Sequence, residues 1–413
     1  MTPFSSSSGP SQSIERKAYF PRKTTFYLLA SITVSFLAGS SAPTPLYALY
    51  QAKWGFSPIT VTFIYAVYAI AVLLALLFAG RLSDHLGRRP VLMAATAAQV
   101  ATMVLFATAS GVGALVLARI IQGLATGAAV GAVGAGMIDL NRERGATISA
   151  VAPAVGSATG GMLAGLLVQY LPGPTYLVYA VLGVVYVLQG IGVARMADTI
   201  APAPGALASL KPQIRLPART RGPLLVALPV LVATWALGGF YACLGPMVVR
   251  EMLGVESAFL GGVALFTLSA SGGLAVLVLQ HREPRALMTF GAAMLAAGVG
   301  IAVLALPHHS IALFLAGTAI AGVGFGTGFQ GAVRSVVSFA APHERAGVLS
   351  IVFIVAYLSM GVPALAAGAL VARHGNIIGI AGQFGMVVMA LALAAVLAAS
   401  LRVAQNPICG AES

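Results

Sequence analysis

The stretch GRLSDHLGRRP, residues 80–90, lies between two long apolar runs and concentrates charge at one point of the chain. Its five ionisable residues are Arg81, Asp84, His85, Arg88 and Arg89. Elsewhere charge is scarce: 59% of the 413 residues are hydrophobic and 8% are charged, whereas soluble domains carry roughly 25% charged residues. The composition indicates an integral membrane protein, in which this stretch is a polar corner between two membrane spans.

Twelve apolar runs are long enough to cross about 30 Å of hydrocarbon as helices. They cover residues 25–48, 58–80, 91–110, 112–137, 146–170, 176–195, 223–249, 257–280, 287–306, 310–338, 347–371 and 376–400. Because backbone polar groups cannot stay unpaired in lipid, each run is expected to be a helix. The first run lacks a small-residue cleavage pattern and is therefore expected to be a retained span. The predicted fold class is an all-α integral membrane protein.

The basic residues predict the orientation of the chain. With a cytoplasmic N-terminus, nineteen Lys and Arg residues fall on the cytoplasmic side, and only Lys53, Arg250 and Arg373 fall outside. This asymmetry predicts that both termini are cytoplasmic, and the expected location is the inner membrane of a bacterium. It also accounts for the net charge of +13 without a nucleic-acid partner, because basic residues gather at membrane edges beside anionic lipid.

One long loop and an internal repeat divide the chain. The loop, residues 196–222, is rich in Pro, Ala, Gly and basic residues and separates six spans from six. The expected units are a tail (1–24), a first bundle (25–195), the linker (196–222), a second bundle (223–400) and a tail (401–413). A shift of about 201 residues superposes Pro45 on Pro246, Gly127 on Gly328, Ser149 on Ser350 and Glu143-Arg144 on Glu344-Arg345. Such duplication predicts two pseudo-symmetric six-helix bundles with a substrate site between them.

The corner resembles motif A of the major facilitator superfamily of secondary transporters, and the resemblance extends over all twelve spans. The matching residues are Gly80, Leu82, Asp84, Gly87, Arg88 and Arg89. The resemblance implies a latch in which Asp84 binds near the start of the eleventh span in one conformation, where the helix dipole favours a carboxylate. Asp139 is the predicted partner of Arg88. The alternative is that Arg88 and Arg89 are only positive-inside anchors.

The corresponding corner of the second half, HREPRALM at residues 281–288, lacks the Gly–Asp–Gly pattern. The latch is therefore predicted to be one-sided.

Arg119 is the one ionisable residue placed well inside a predicted span, where a charge costs about 2.5–3.5 kcal/mol. Together with Gln122, Gly123 and Gly127 it resembles motif B of the superfamily, which implies roles in proton coupling and in the cavity wall. The alternative is an arginine that snorkels to the outer edge. Glycines spaced by four, at 123, 127 and 131 and at 324 and 328, predict close helix packing.

The fifth span partly resembles motif C, which is typical of antiporters, through Gly156, Gly160 and Gly161. Ser157 stands where the motif has proline, and Pro153 lies three residues before Gly156. The resemblance implies export, and the missing proline leaves an importer open.

The cavity is predicted from charge and from aromatic side chains. All ten carboxylates and all six histidines fall in loops, tails or span ends, so a buried cationic substrate would lack a counter-charge and neutral or anionic amphipathic compounds are preferred. The candidate cavity residues are Tyr47, Tyr65, Tyr68, Gln122, Trp235, Tyr241, Gln330 and Tyr357. Tyr47 and Tyr50 are also expected in the interfacial aromatic belt, and Pro43 and Pro45 are expected to distort the outer end of the first span.

The predicted function is transport of small organic molecules by alternating access, as proton-coupled efflux of a drug-like compound or secreted metabolite. Import or facilitated passage of a small neutral or anionic solute is the alternative. A receptor that has lost transport is disfavoured, because it would need no latch. The expected partners are the small-molecule substrate, protons and the lipid bilayer, and the expected working state is a monomer.

An enzyme is not predicted, because the spans hold no buried acid–base pair or metal cluster. The sequence has no GxxxxGK[ST] segment for ATP, and Cys243 and Cys409 suggest neither a disulfide nor a metal site. We therefore expect no catalytic residue, metal or cofactor.

Overall fold

The computed structural model describes residues 20–254 and 257–405, and these ranges contain twelve helices long and apolar enough to span a membrane. They are α1 (Arg22–Ser41), α2 (Pro58–Ala79), α3 (Arg88–Ala107), α4 (Val112–Leu140), α5 (Arg142–Tyr170), α6 (Pro174–Arg195), α7 (Ala218–Cys243), α8 (Ala258–Leu279), α9 (Pro284–Ala305), α10 (Ile311–Val337), α11 (Arg345–His374) and α12 (Ile377–Gln405). The predicted all-α membrane fold is confirmed. Cys409 lies outside the described residues.

The first and seventh spans are shorter than predicted, and each is followed by a short helix. α1 ends at Ser41, a turn holds Pro43 and Pro45, and the chain resumes as the helix Tyr47–Trp54. In the second half α7 ends at Cys243 and the helix Gly245–Leu253 follows, with Pro246 in its first turn. The predicted spans 25–48 and 223–249 were therefore too long. Each apolar run continues past the break, where a proline shortly after the helix end lacks the N–H that would pair with the carbonyl four residues earlier.

The bundle has two ends. The linker side is the end where α6 finishes and α7 begins, and the far side is the opposite end. On the linker side, short helices cover Leu82–Leu86 and Ala206–Ser209, and a 3₁₀ turn covers Pro342–Glu344. Because α7 begins at Ala218, the linker between helices covers residues 196–217, five residues shorter than predicted.

The twelve helices form two groups of six with matching contacts. In the first group α1 packs on α5, α2 on α4, and α3 on both α4 and α6. In the second group α7 packs on α11, α8 on α10, and α9 on both α10 and α12. Every pair in the first group has its counterpart six helices later, so the packing shows the duplication that the 201-residue shift predicted.

Two helix pairs join the halves: α5 against α8, and α2 against α11. Small residues allow the first pair to approach closely, since a methyl group at Gly262 would lie 2.5 Å from the backbone oxygen of Gly161, and one at Gly165 would lie 2.7 Å from that of Ala258. Close backbone approach of this kind is how helices associate where lipid removes the hydrophobic driving force.

The second pair meets in the part of the bundle nearer the far side. There the Tyr65 hydroxyl donates to the Met360 sulfur at 3.6 Å, and Gly368 packs on the side chain of Thr62. This second pair thus holds the two halves together at the far side of the bundle.

A disulfide can test this arrangement. The Cβ position at Gly361 lies 3.6 Å from the Cβ atom of Ala66, within the range of about 3.5–4.5 Å found in disulfides. In a background with Cys243→Ser and Cys409→Ser, Ala66→Cys with Gly361→Cys should crosslink on oxidation and stop transport, because the halves can no longer separate at the far side. A protease site placed in the linker reveals the crosslink as two halves that stay together on a denaturing gel.

The control pair is Ala66→Cys with Val362→Cys. Val362 is the next residue along α11 and is 61% exposed, so its side chain points away from α2 and should not crosslink. Equal yields for the two pairs, or full transport after complete crosslinking at 66 and 361, would contradict the packing described here.

Candidate functional site

The polar corner is built around the side chain of Arg88, which is only 6% exposed. Its guanidinium pairs with the carboxylate of Asp84 four residues earlier and donates to the Ser83 hydroxyl at 2.7 Å. Its Nε donates to Asp139 Oδ2 at 3.4 Å, so the predicted contact between Arg88 and Asp139 is present. Charge-assisted hydrogen bonds are stronger than neutral ones, and this set ties the start of α3 to the end of α4.

Two further residues of the motif also bond or pack within the protein. Arg89 donates to the backbone oxygen of Ala194 near the end of α6, and the backbone of Gly80 lies against α4, where a methyl group at Gly131 would lie 3.1 Å from the Gly80 oxygen. Both arginines therefore make internal contacts, which anchors facing only the membrane edge would not require.

Asp198, in the linker, caps the N-terminus of α3. Its Oδ1 accepts from the backbone N–H of Arg88 at 2.8 Å, and its Oδ2 accepts from that of Arg89 at 3.2 Å. A carboxylate at this position satisfies N–H groups that the helix leaves unpaired and interacts favourably with the helix dipole. Gly87, with φ +95°, admits the carboxylate, because any Cβ there would overlap Asp198. Sequence reasoning missed this role, although Asp198 is the one carboxylate of residues 196–222.

The residues after Asp198 continue along the corner. The Thr199 hydroxyl donates to Asp139 Oδ2 at 2.9 Å, and the backbone N–H of Ala203 donates to the His85 oxygen at 2.9 Å. The ring of His85 in turn lies 3.0 Å, measured from Nδ1, from the Pro204 oxygen. The first part of the linker is therefore docked on the first half.

The last part of the linker is docked on the second half. Arg219, at the start of α7, pairs with Glu344, which directly precedes α11, and this hydrogen bond lowers the pKa of the Glu344 carboxyl. Arg215 packs against Gly347 in the first turn of α11, with its Cβ 3.1 Å from the Gly347 Cβ position. The linker thus contacts both halves on one side of the bundle.

The implied contact between Asp84 and the eleventh span is not made in this structure. Asp84 is 48% exposed on its side chain, and among residues 20–254 and 257–405 its hydrogen-bond partner is Arg88. The reason is the position of the α2–α11 contact, which lies around Ala66 and Gly361 nearer the far side, whereas the start of α11 is occupied by the linker.

Arg119 is completely buried, with 0% exposure, and the snorkelling alternative is therefore wrong. Its Nε and Nη2 donate to the Tyr47 hydroxyl at 3.0 and 2.8 Å, and its Nη1 donates to the Ser40 backbone oxygen at 2.8 Å and to Gln122 Oε1 at 2.6 Å. We call Arg119, Tyr47, Gln122 and Ser40 the arginine cluster.

Aromatic rings surround the guanidinium as well. The ring centroids of Tyr47, Tyr65, Tyr68 and Phe106 lie 5.7, 6.0, 5.1 and 5.8 Å from Arg119 Cζ. At these distances the faces of aromatic rings attract a cation. The charge is therefore balanced by oxygens and ring faces, with no carboxylate among the described residues bonded to it.

The break after α1 explains why the arginine cluster forms there. The Gly39 oxygen would ordinarily accept from the N–H four residues later, but residue 43 is proline and has none. Gln122 Nε2 donates to that oxygen instead, at 3.0 Å, while Arg119 takes the oxygen of Ser40. The turn at Pro43 and Pro45 also brings Tyr47 back over Arg119. The break at these prolines thus makes the Ser40 and Tyr47 oxygens available as the acceptors that a buried guanidinium requires.

Two predictions about these tyrosines need correction. Tyr47 and Tyr50 were expected at the membrane interface, but each is only 2% exposed. Tyr47 binds Arg119, and the Tyr50 hydroxyl donates to that of Tyr179 at 3.2 Å. Tyr47 is held inside by its bonds to the buried Arg119, and Tyr50 by its bond to the buried Tyr179 of α6. Neither ring therefore belongs to an interfacial belt.

Four of the candidate cavity residues approach the boundary between the halves. The rings of Tyr65 and Tyr68 are 6.0 Å apart on α2, and those of Trp235 on α7 and Tyr357 on α11 are 4.9 Å apart. Tyr65 crosses the boundary through its bond to Met360.

The remaining candidates are described within one half of the molecule. The hydroxyl of Tyr241 lies 2.7 Å from that of Thr318, so Tyr241 packs inside the second half. Gln122 belongs to the arginine cluster, and Gln330 follows Phe329, whose ring centroid is 5.3 Å from that of Trp235.

The glycines of the two remaining motifs lie where helices touch. Methyl groups at Gly123 and Gly127 would lie 2.7 and 2.6 Å from backbone oxygens of α2, which places α4 directly against α2. Gly156 and Gly160 face the backbone of α1, and Gly161 faces Leu265 of α8 at 3.3 Å. The segment that resembles motif C therefore packs between α1 and the other half.

The sequence matches the family model described as Major Facilitator Superfamily over residues 29–362. The chain belongs to this superfamily. The solved structure of the nucleoside transporter NupG is similar to it, with a TM-score of 0.66, 15% identity and coverage of 94% of this chain and 100% of that chain. The structure of the human organic anion transporter MFSD10 (TETRAN) is also similar, with a TM-score of 0.64, 16% identity and coverage of 91% of this chain and 100% of that chain. No curated protein sequence matches it. The molecule is thus a multi-pass transporter of small solutes.

Tyr47→Phe tests the arginine cluster. It keeps the ring and removes the oxygen that accepts twice from Arg119, and hydrogen bonds to charged groups contribute about 1.5–3 kcal/mol. We expect a loss of unfolding free energy of that order, measured as a lower melting temperature of the purified protein. Tyr50→Phe is the matched control, because it breaks one neutral bond, to Tyr179, that contributes about 0.5–1.5 kcal/mol. Equal shifts for the two variants would argue against a special role for Tyr47.

Asp198→Ala tests the linker contact. We expect faster amide hydrogen exchange both at the start of α3 and in residues 196–205, together with reduced transport, because the cap and the anchor of the linker are lost. Glu283→Ala is the control: Glu283 caps α9 through the N–H groups of Arg285 and Ala286 at 3.2 and 3.0 Å and holds no linker. Unchanged exchange in residues 196–205 of Asp198→Ala would refute the docking.

Proposed function

We propose that this transporter exports small neutral or anionic organic molecules, drug-like compounds or secreted metabolites, by proton-coupled alternating access. The inference that the substrate is neutral or anionic rests on the distribution of ionisable groups. Arg119 lies fully buried in the first half, and the acidic residues of the described spans are Asp139 and Glu143, each beside a helix end.

The electrostatic consequence concerns the boundary between the halves. A cation moved into the bilayer interior needs a partner of opposite charge, and a fixed guanidinium without a carboxylate partner repels it. Neutral molecules avoid this cost, and anions gain from the positive potential, although the hydrogen-bonding groups of Arg119 are already engaged by Tyr47, Ser40 and Gln122. Arg119 is therefore proposed to act on substrate through its field and not through direct contact.

Two features support export. The corner around Arg88 carries the charged groups of motif A, and the glycines resembling motif C pack α5 between α1 and α8, where a helix can seal one side of a cavity. Proton coupling is energetically sufficient, because one charge crossing 100 mV gains about 2.3 kcal/mol and accumulating a solute tenfold costs about 1.4 kcal/mol.

A second candidate, import or facilitated passage of a small neutral or anionic solute, is favoured by two specific observations. The described spans hold no central carboxylate that could exchange a proton for substrate, and Ser157 stands where motif C has proline. Under this alternative the solute gradient itself drives net movement.

Inverted membrane vesicles separate the two functions. With an acid interior, three compounds of matched size and differing charge are supplied with and without a protonophore. Export predicts protonophore-sensitive uptake of the neutral and anionic members, and facilitated passage predicts equilibration that ignores the pH gradient. Gradient-driven uptake of the cation alone would contradict the proposed substrate class.

Asp84→Asn should insert normally and depress uptake, and normal turnover of this variant would remove the support from the latch.

A further inference from the structure

The second half carries an aromatic cluster that has no counterpart in the first. The cluster consists of Trp235 on α7, Phe329 on α10, and Phe353 and Tyr357 on α11, with ring centroids 4.9 Å apart for Trp235–Tyr357, 5.3 Å for Trp235–Phe329 and 6.5 Å for Phe353–Tyr357. Under the 201-residue shift the equivalent residues of the first half are Val34, Ala128, Ala152 and Gly156. Four rings therefore replace four small side chains at equivalent places of a duplicated fold.

One helical turn nearer the far side, the two halves superpose in the same register. In the first half Gly160 packs directly on the backbone of Ala38, and in the second half Gly239, the equivalent of Ala38, packs directly on the backbone of Met360. The pairs α1–α5 and α7–α11 are thus equally close at this level, and the two halves superpose there.

The two halves differ one turn nearer the linker side. Gly156 remains in contact with the backbone of Val34, whereas at the equivalent positions of the second half the rings of Trp235 and Tyr357 meet, with centroids 4.9 Å apart. Simple helix packing is already achieved by Gly156 in the same fold, so packing alone does not require these rings.

Two polar atoms at this level lack partners. Trp235 Nε1 and Gln330 Oε1 are buried and have no hydrogen-bond partner within residues 20–254 and 257–405. Nearly all buried polar groups in folded proteins are paired, because leaving one unpaired costs free energy. Gln330 directly follows Phe329 on α10, so the unpaired donor belongs to one ring of the cluster and the unpaired acceptor to the residue next to another.

The aromatic cluster adjoins the first half. Met360, three residues beyond Tyr357 on α11, accepts the hydrogen bond from Tyr65 of α2. The cluster therefore lies at the boundary where a duplicated transporter binds its substrate. None of its four members carries a charge, in contrast to the arginine cluster of the first half.

We propose that the aromatic cluster is a binding subsite for a planar, uncharged ring whose edge presents a hydrogen-bond acceptor to Trp235 Nε1 and a donor to Gln330 Oε1. A cyclic amide fused to an aromatic ring has this chemistry. The rings supply offset or edge contacts to its faces, and the two polar atoms select its edge. The inference rests on the proposed transport function and names the class of substrate.

Binding is measured on the full-length protein in lipid nanodiscs with three probes of similar shape. Quinolin-2(1H)-one has both the acceptor and the donor, its N-methyl derivative has only the acceptor, and naphthalene has neither. We expect each lost hydrogen bond to weaken binding about tenfold, as measured by calorimetry. The chain has two tryptophans, so in Trp54→Phe the fluorescence comes from Trp235 alone and should be quenched by quinolin-2(1H)-one.

Two variants assign the polar contacts. Trp235→Phe keeps a ring and removes the N–H, so the advantage of the N-methyl derivative over naphthalene should disappear. Gln330→Leu removes the acceptor, so quinolin-2(1H)-one and its N-methyl derivative should bind alike, whereas Trp54→Phe should keep all the preferences. Equal preferences in wild type, Trp235→Phe and Gln330→Leu, or unquenched Trp235 fluorescence at saturation, would overturn the subsite.

Counterflow of quinolin-2(1H)-one in proteoliposomes separates this subsite from the proposed function. Binding and counterflow together support both. Uptake of other neutral compounds in the vesicle experiment, with no binding of any ring probe, would leave transport standing and overturn the subsite. Ring binding with the predicted preferences, without movement of any solute, would support the subsite and refute the proposed function.

Discussion

The buried charge of Arg119 is the constraint on which the first half depends. A guanidinium in hydrocarbon needs several oxygens in fixed positions, and Tyr47, Ser40 and Gln122 provide them at 2.6–3.0 Å. Two of these oxygens are available only because α1 stops before Pro43 and the chain returns through Tyr47. The arginine cluster therefore joins α1, the helix Tyr47–Trp54 and α4 into one unit.

The second half shows the same helix packing without that charge. Ile320 occupies the position equivalent to Arg119, and rings gather instead around Trp235. A duplicated fold has thus diverged into one half organised by a cation and its oxygens and another organised by aromatic rings. Between them α5 meets α8 and α2 meets α11 through small residues, and such interfaces allow the halves to move as units. The linker touches both units, through Asp198 at one end and Arg215 at the other.

Local sequence determined the helices and much of the polar corner. The length and polarity of each apolar run are local properties, and the thickness of hydrocarbon translates them directly into spans. The corner was found from its charge, and the Arg88–Asp139 contact was predicted because the resemblance to motif A places the ends of the second, third and fourth spans together.

Tertiary structure decided which atoms meet. Asp198 caps a helix 110 residues away, and Tyr47 lies 72 residues from Arg119; no periodicity or composition links residues at such separations. The rotation of each helix about its axis, set by glycine contacts such as Gly160 on Ala38, decides which side chains face one another. The sequence by itself therefore determined how many helices form and where charge accumulates, and only the packed structure decided that the break before Pro43 leaves oxygens for a buried arginine and that the rings of Trp235 and Tyr357 meet.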